Sequence, residues 1–141
     1  MAEEQNEYSY RLDLRDDILS NEDGKVVEQK LAKMNKEDIN AILCSVGVKA
    51  QKTTTIDLMI KYGADVNAIR DEFGNTTLMQ LLVPHYSNNH KYLAKPEIVE
   101  TFLKHGADAK AKNSKGITVL DYAKYVNRPE IINMLINYGA C

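Results

Sequence analysis

Tryptophan is absent from the chain, cysteine occurs twice and proline three times. Two cysteines, Cys44 and Cys141, cannot build a disulfide framework, so a reducing, cytoplasmic location is the expectation. No apolar run approaches the roughly 20 residues that span a bilayer. The acidic start Met1-Ala2-Glu3-Glu4 lacks the basic-then-apolar order of a signal peptide. An excess of charge of one sign is lacking too: a formal net charge of −2 gives no bulk attraction to nucleic acid or anionic lipid. Catalytic signatures are missing, with no phosphate-binding glycine loop, no Cys-x-x-Cys pair and no His-Glu-x-x-His. These absences predict a soluble single domain that is not an enzyme and uses no cofactor, metal, membrane or nucleic acid.

What the chain does have is a repeat. Pro129-Glu130-Ile131-Ile132, running on to Gly139-Ala140, matches Pro96-Glu97-Ile98-Val99 through Gly106-Ala107 in register 33 residues earlier. A looser copy runs from Thr55 to Ala64. Gly74-x-Thr76-x-Leu78 likewise returns as Gly116-x-Thr118-x-Leu120, 42 residues on. A fixed period of this length marks stacked units that bury their apolar faces only against their neighbours. The difference between the two spacings is a polar insertion at 84–95, expected to be a loop because added loop length costs little closure entropy.

In chain order, residues 1–7 carry three glutamates and little to bury, which predicts a frayed, disordered tail. Tyr8, Tyr10, Leu12 and Leu14 alternate like a strand, while Tyr8, Leu12, Ile18 and Leu19 suit one side of a helix. The stop at Asn21-Glu22-Asp23-Gly24 and the helical spacing of Val26, Val27, Leu31 and Met34 favour a helical hairpin over 8–34. Its many charges suit the polar outer face of a terminal cap. Asn35 is an N-cap for a helix with the stripe Ile39, Ile42, Leu43 and Val46, ending near Gly47. Thr53, Thr54 and Thr55 offer a cap to the next helix, which Gly63 closes. Thr76 and Thr118 cap short helices, Thr118 with Asp121 approximating a capping box. Pro96 and Pro129 begin the longer partners, whose Ile98, Val99, Phe102, Leu103 and Ile131, Ile132, Leu135, Ile136 form buried stripes. The predicted units are 35–68, 69–112 and 113–141.

These residues resemble the ankyrin repeat, whose pattern is a tip turn, Gly-x-Thr-Pro-Leu-His-x-Ala, a short inner helix, an outer helix and a closing Gly-Ala-Asp-Val-Asn-Ala. Gly116-Ile117-Thr118-Val119-Leu120-Asp121-Tyr122-Ala123 keeps the Gly, Thr, Leu and Ala, and Gly63-Ala64-Asp65-Val66-Asn67-Ala68 matches the inter-repeat turn throughout. Asn127 stands where the family usually has glycine. The resemblance covers 35–140 and implies an all-α ankyrin-repeat solenoid of stacked helix-turn-helix units with short tip turns. About three repeats follow the N-terminal cap. The family's Pro-Leu-His is Thr77-Leu78-Met79 in one unit and Val119-Leu120-Asp121 in the next, so the histidine that braces neighbours is absent.

Ankyrin proteins bind other proteins through the tips and the exposed side of the inner helices. Carried over by position, that surface is Arg70, Asp71, Glu72, Phe73, Asn75, Met79 and Gln80, then Lys112, Ser114, Lys115, Ile117, Asp121, Tyr122 and Tyr125. Phe73, Tyr122 and Tyr125 are the expected anchors, since aromatics dominate interface energies; Tyr125 has a competing core role. Lys110, Lys112 and Lys115 ring one tip, whereas the other reads Asp71-Glu72-Phe73. Asn67 is read as a bracing side chain and Cys44 as a small buried hydrophobe. His85 and His90 in the insertion suit either a solvated loop or a metal, the loop being the reading taken. The expected function is a non-enzymatic protein-binding module, monomeric, with an inhibitor or immunity-type protein or a self-associating module as alternatives.

Overall fold

Four helix pairs follow one another in the computed structural model, which describes residues 2–87 and 90–140. They are α1 (Ala2–Ser20) with α2 (Gly24–Ala32), α3 (Lys36–Lys49) with α4 (Thr53–Lys61), α5 (Thr77–Leu82) with α6 (Pro96–Lys104), and α7 (Val119–Tyr125) with α8 (Pro129–Asn137). Between α5 and α6 lies an antiparallel hairpin of β1 (His85–Ser87) and β2 (His90–Tyr92), with His85 opposite Tyr92. The fold class is all-α, with that hairpin the one sheet among the described residues. Contacts run α1–α3–α5–α7 in one row and α2–α4–α6–α8 in a second. The buried apolar residues form a single cluster from Ile18 to Ala140, with Phe102, Leu81, Leu82 and Ile98 fully enclosed.

The ends of the helices follow from single residues. Asn35, Thr76 and Thr118 each accept a backbone N–H three residues on, at 2.8, 3.3 and 3.1 Å. The Asp121 carboxylate returns a bond from the Thr118 N–H, completing the expected capping box. At Thr76 the Met79 sulfur takes that place, 3.4 Å from the N–H. The nine-residue helices α4, α6 and α8 close alike, through Gly63, Gly106 and Gly139 at φ 112°, 92° and 100°. In each, the following alanine donates to a carbonyl five residues back: Ala64 to Met59, Ala107 to Phe102, Ala140 to Leu135. That Schellman closure needs a left-handed residue, and Asn127 supplies it after α7 at φ 55°.

Four expectations are corrected. Residues 1–7 do not form a tail throughout, since α1 is already helical from Ala2; its Glu and Gln are good helix formers, and acidic groups favour a helix start. Gly47 does not end α3 but lies inside it, because the chain needs a close approach there: a Cβ on Gly47 would stand 2.8 Å from Leu81 Cδ2 and 3.5 Å from the Phe102 ring. The threonines do not cap α4. Lys52 occupies the N-cap without a side-chain bond. Instead the Glu22 carboxylate, from the α1–α2 connector, accepts from Gln51 N at 2.9 Å, Lys52 N at 3.3 Å and Thr55 Oγ1 at 2.8 Å. A charged acceptor at the positive end of the helix outcompetes a neutral hydroxyl. The insertion at 84–95 carries the β1–β2 hairpin rather than a plain loop, and Arg128 Nη2 donates to Ala94 O at 2.7 Å to hold its far end beside the start of α8.

Candidate partner-binding surface

Two tip turns precede α5 and α7, and both are built on a side chain that copies a turn. Asp71 Oδ1 accepts from Phe73 N and Asn75 N at 3.0 and 3.1 Å. Asn113 Oδ1 accepts from Lys115 N and Ile117 N at 2.9 and 3.0 Å. Asp and Asn are suited to this because their short polar side chains reach the backbone two residues on. Hydrogen bonds, the Asn75 side chain first, hold the Asp71 carboxyl below its ordinary range.

The tips are joined to each other. Ser114 donates its N–H and its hydroxyl to Phe73 O, at 2.8 and 2.9 Å. Asn75 Oδ1 accepts from Asn113 Nδ2 and from the Tyr122 hydroxyl, both at 3.0 Å. Asn75 Nδ2 and Gln80 Nε2 in turn donate to Asp71 Oδ2. The result is a polar ladder from one tip to the next and on to α7. Lower in the stack Asn67 does the same, donating to Gly106 O at 3.0 Å and accepting from Asp108 N at 2.8 Å, which fits its reading as a brace.

Against this ladder the fourteen candidate residues separate. Met79 is fully enclosed and leaves the surface; its sulfur caps its own helix, so its side chain turns into the core. Arg70 is half-buried, its guanidinium donating to Asn40 O and Ala41 O at 3.2 and 2.8 Å, which fixes it to α3 rather than freeing it for a partner. Asp71, Asn75 and Gln80 are committed to the ladder. Glu72, Phe73, Lys112, Ser114, Lys115, Asp121 and Tyr125 are exposed. Phe73 lies beneath Lys115, whose Nζ is 5.5 Å from the ring centre.

Ile117, Asp121, Tyr122 and Tyr125 come together as the walls of one mainly apolar groove of about 400 Å³. Tyr125 is 88% exposed, which removes the competing core role. Tyr122 is half-buried, with its ring in the groove and its hydroxyl in the ladder. Such a recess holds an amino-acid side chain and has polar atoms at its edges to orient it. A larger recess of about 680 Å³ opens between the starts of α4 and α6, where Lys95 Nζ donates to Gln51 Oε1 at 2.7 Å.

Two residues that matter here carried no sequence signal of their own. Asn113 is 8% exposed and shapes the second tip; only its alignment with Asp71, at the same offset from Thr118 as Asp71 from Thr76, announces it. Lys124 stands beside Tyr125 on α7 and, like Lys112, acts on Asp121. No cluster of metal-binding side chains occurs among the described residues, and no helix there is long and apolar enough to cross a membrane. The side chains of His85 and His90, and Cys141, lie outside the described residues. Cys44 is buried, and desolvation pushes its thiol up to about 11, so it stays protonated and unreactive.

The structure thus defines an all-helical class of protein with an apolar groove beside paired tip turns. No protein-family model matches the chain. Over 80 residues, 55% of its length, it is 38% identical to a protein of Plasmodium falciparum (isolate 3D7) named "Putative E3 ubiquitin-protein ligase protein PFF1365c". The match spans 1% of that protein's length.

Proposed function

We propose that the chain is a small ankyrin-type array, non-enzymatic, that binds another protein through its tips and the exposed side of α7. The observation that carries this reading is the groove at Tyr122 and Tyr125. The Tyr125 ring is 88% open to solvent over an apolar recess, and its neighbour Tyr122 is held from behind through its hydroxyl by Asn75; an exposed ring beside a fixed one suits a binding anchor. Support for the ankyrin type comes from the repeated Schellman closures, the left-handed Asn127 and the equivalent tips of Asp71 and Asn113. That the matched stretch is 1% of a far longer protein supports reading it as a module; the ligase activity in that protein's name is not carried over.

The test is affinity capture with the wild-type chain and with Phe73→Ala/Tyr125→Ala as baits, followed by mass spectrometry. At least one protein should be retained by the wild type and lost with the variant, while circular dichroism shows both folded. Tyr122→Ala is unsuitable, because it also cuts the ladder. Identical capture by both baits refutes the surface.

A second reading, self-association through the last helix pair, draws on Tyr138 and on Ile136, whose place in the stripe of α8 predicts burial; they are 39% and 50% exposed, and only Ile131 and Leu135 of that stripe are buried. Sedimentation over a wide concentration range decides it: a constant monomer mass removes it.

A further inference from the structure

Charge surrounds the groove unevenly. Lys124 is three residues beyond Asp121 on α7, hence its neighbour on the helix surface. Lys112 pairs with Thr118 across the tip, at the start of the same helix. Lys115 is held over Phe73 two residues before Ile117. None of these three lysines forms an ion pair among the described residues, although the chain as a whole is acidic at −2. The one carboxylate in the groove wall, Asp121, is tied to its own helix and keeps its charge. It accepts the Thr118 N–H at 2.9 Å, and that bond, ahead of Lys124 and Lys112, keeps it ionised and in place. The groove therefore presents an apolar floor between tyrosines and a rim in which three lysines outnumber one carboxylate.

Resting on the protein-binding reading above, we propose that its occupant is an acidic segment of a partner protein. One aromatic or branched aliphatic side chain seats against Tyr122 and Tyr125, and flanking Asp or Glu residues lie over Lys112, Lys115 and Lys124. The apolar anchor supplies affinity, because it alone is fully desolvated. The carboxylates supply approach and register, as rim charges do. Exposed Glu72 on the neighbouring tip repels such a segment, which directs its acidic end along α7 rather than toward α5. Nucleic acid fits poorly: a few lysines around a narrow apolar recess give neither a phosphate track nor a stacking platform.

The test is selection of a phage-displayed random peptide library on the full chain. Enriched peptides are then titrated against the wild type, Tyr125→Ala and Lys112→Glu/Lys124→Glu at low and high salt. Enriched peptides should carry Asp or Glu around an aromatic or branched anchor. Affinity should fall about tenfold with Tyr125→Ala and by about as much with the double charge reversal. High salt should weaken the wild type and, by screening the new repulsion, strengthen the reversed variant. Peptides lost with Tyr125→Ala but neutral or basic, and indifferent to the charge reversal, overturn the acidic assignment while leaving the protein-binding surface standing. Peptides indifferent to Tyr125→Ala, or no enrichment, overturn the proposal outright, and the capture experiment then decides the broader reading on its own. A mass that rises with concentration and returns to monomer in Tyr125→Ala would mean that a second copy fills the groove, which also overturns it.

Discussion

Replacing Glu22 by alanine tests whether the first helix pair is part of the stack or merely lies against it. Glu22 sits in the connector between α1 and α2, yet its carboxylate accepts from Gln51 N, Lys52 N and Thr55 Oγ1 at the start of α4. The N-cap position of α4, Lys52, provides no side-chain acceptor of its own. Loss of an N-cap costs about 0.5–2 kcal/mol, and bonds to a charged acceptor lie at the upper end of the hydrogen-bond range. Gln51 and Lys52 are exposed, so water recovers part of their bonding; Thr55 is 1% exposed, so its hydroxyl is left stranded. The expected loss is about 1–2 kcal/mol. An unfolding entropy of about 2 cal/mol/K per residue makes each kcal/mol worth about 3 °C in a chain of this size, so Tm should fall by about 3–7 °C. Glu22→Gln keeps one carbonyl acceptor and loses the charge, and should recover about half. Thermal melts by circular dichroism give the number, and amide exchange locates it: Gln51 and Lys52 should exchange faster while the amides of α6 and α8 do not. A Tm within about 1 °C of wild type, with exchange at Gln51 and Lys52 unchanged, refutes the cap between helix pairs.

Asn113→Ala removes the acceptor of two backbone N–H groups and the donor to Asn75, and should cost about 2 kcal/mol in urea unfolding. Gly47→Ala gains about 1 kcal/mol of helix propensity but forces a Cβ to 2.8 Å from the enclosed Leu81, so a net loss of about 1 kcal/mol is expected. In that background Leu81→Ala should cost less than in wild type, because the crowding is relieved. The Asp71 carboxyl is held below its ordinary value of 3.8, which means that the folded state binds its proton more weakly than the unfolded chain. Its contribution is therefore complete above that value and lost as pH falls through the depressed one. Asp71→Asn should be less stable than wild type at neutral pH, with the gap closing below about pH 4 in melts across the acid range.

The parts of the fold that were legible are those decided by residues close in sequence. Pro96 and Pro129 open α6 and α8, Asn35, Thr76 and Thr118 cap their helices, and Gly63, Gly106 and Gly139 close theirs, because each acts on backbone within a few positions. Where a residue answers to something distant, sequence pattern misled. Gly47 looks like a helix stop, and its reason for being glycine is Leu81 and Phe102. Thr53 to Thr55 look like caps, and the cap is Glu22. The family position places Met79 outward, but a helix of six residues gives too little periodicity to say which side is buried. At the candidate surface, the identities of the exposed residues were readable while their commitments were not: Arg70, Asn75 and Gln80 are polar in any reading, and only the structure shows that the fold already uses them.

Those commitments join neighbouring units without the histidine that braces units in the family the chain resembles. Four of the connections between neighbouring units are Glu22 to α4, Asn67 to Gly106 and Asp108, Ser114 to Phe73, and Asn75 to Asn113 and Tyr122. Each joins only two consecutive units, so losing one should loosen a single junction rather than the whole stack. Two of the four lie directly behind the exposed groups. The Phe73 carbonyl is held by Ser114, and the Tyr122 ring cannot swing away without giving up Asn75. Ordering a side chain on binding costs about 0.5–1.5 kcal/mol, and a ring already fixed from behind avoids much of it. Tyr122→Phe separates the two roles. The ring stays in the groove while the hydroxyl is lost, so stability should fall by about 1 kcal/mol and binding should weaken through a faster off-rate, with the on-rate unchanged. An unchanged off-rate in surface-plasmon measurements would mean that the brace serves the fold alone.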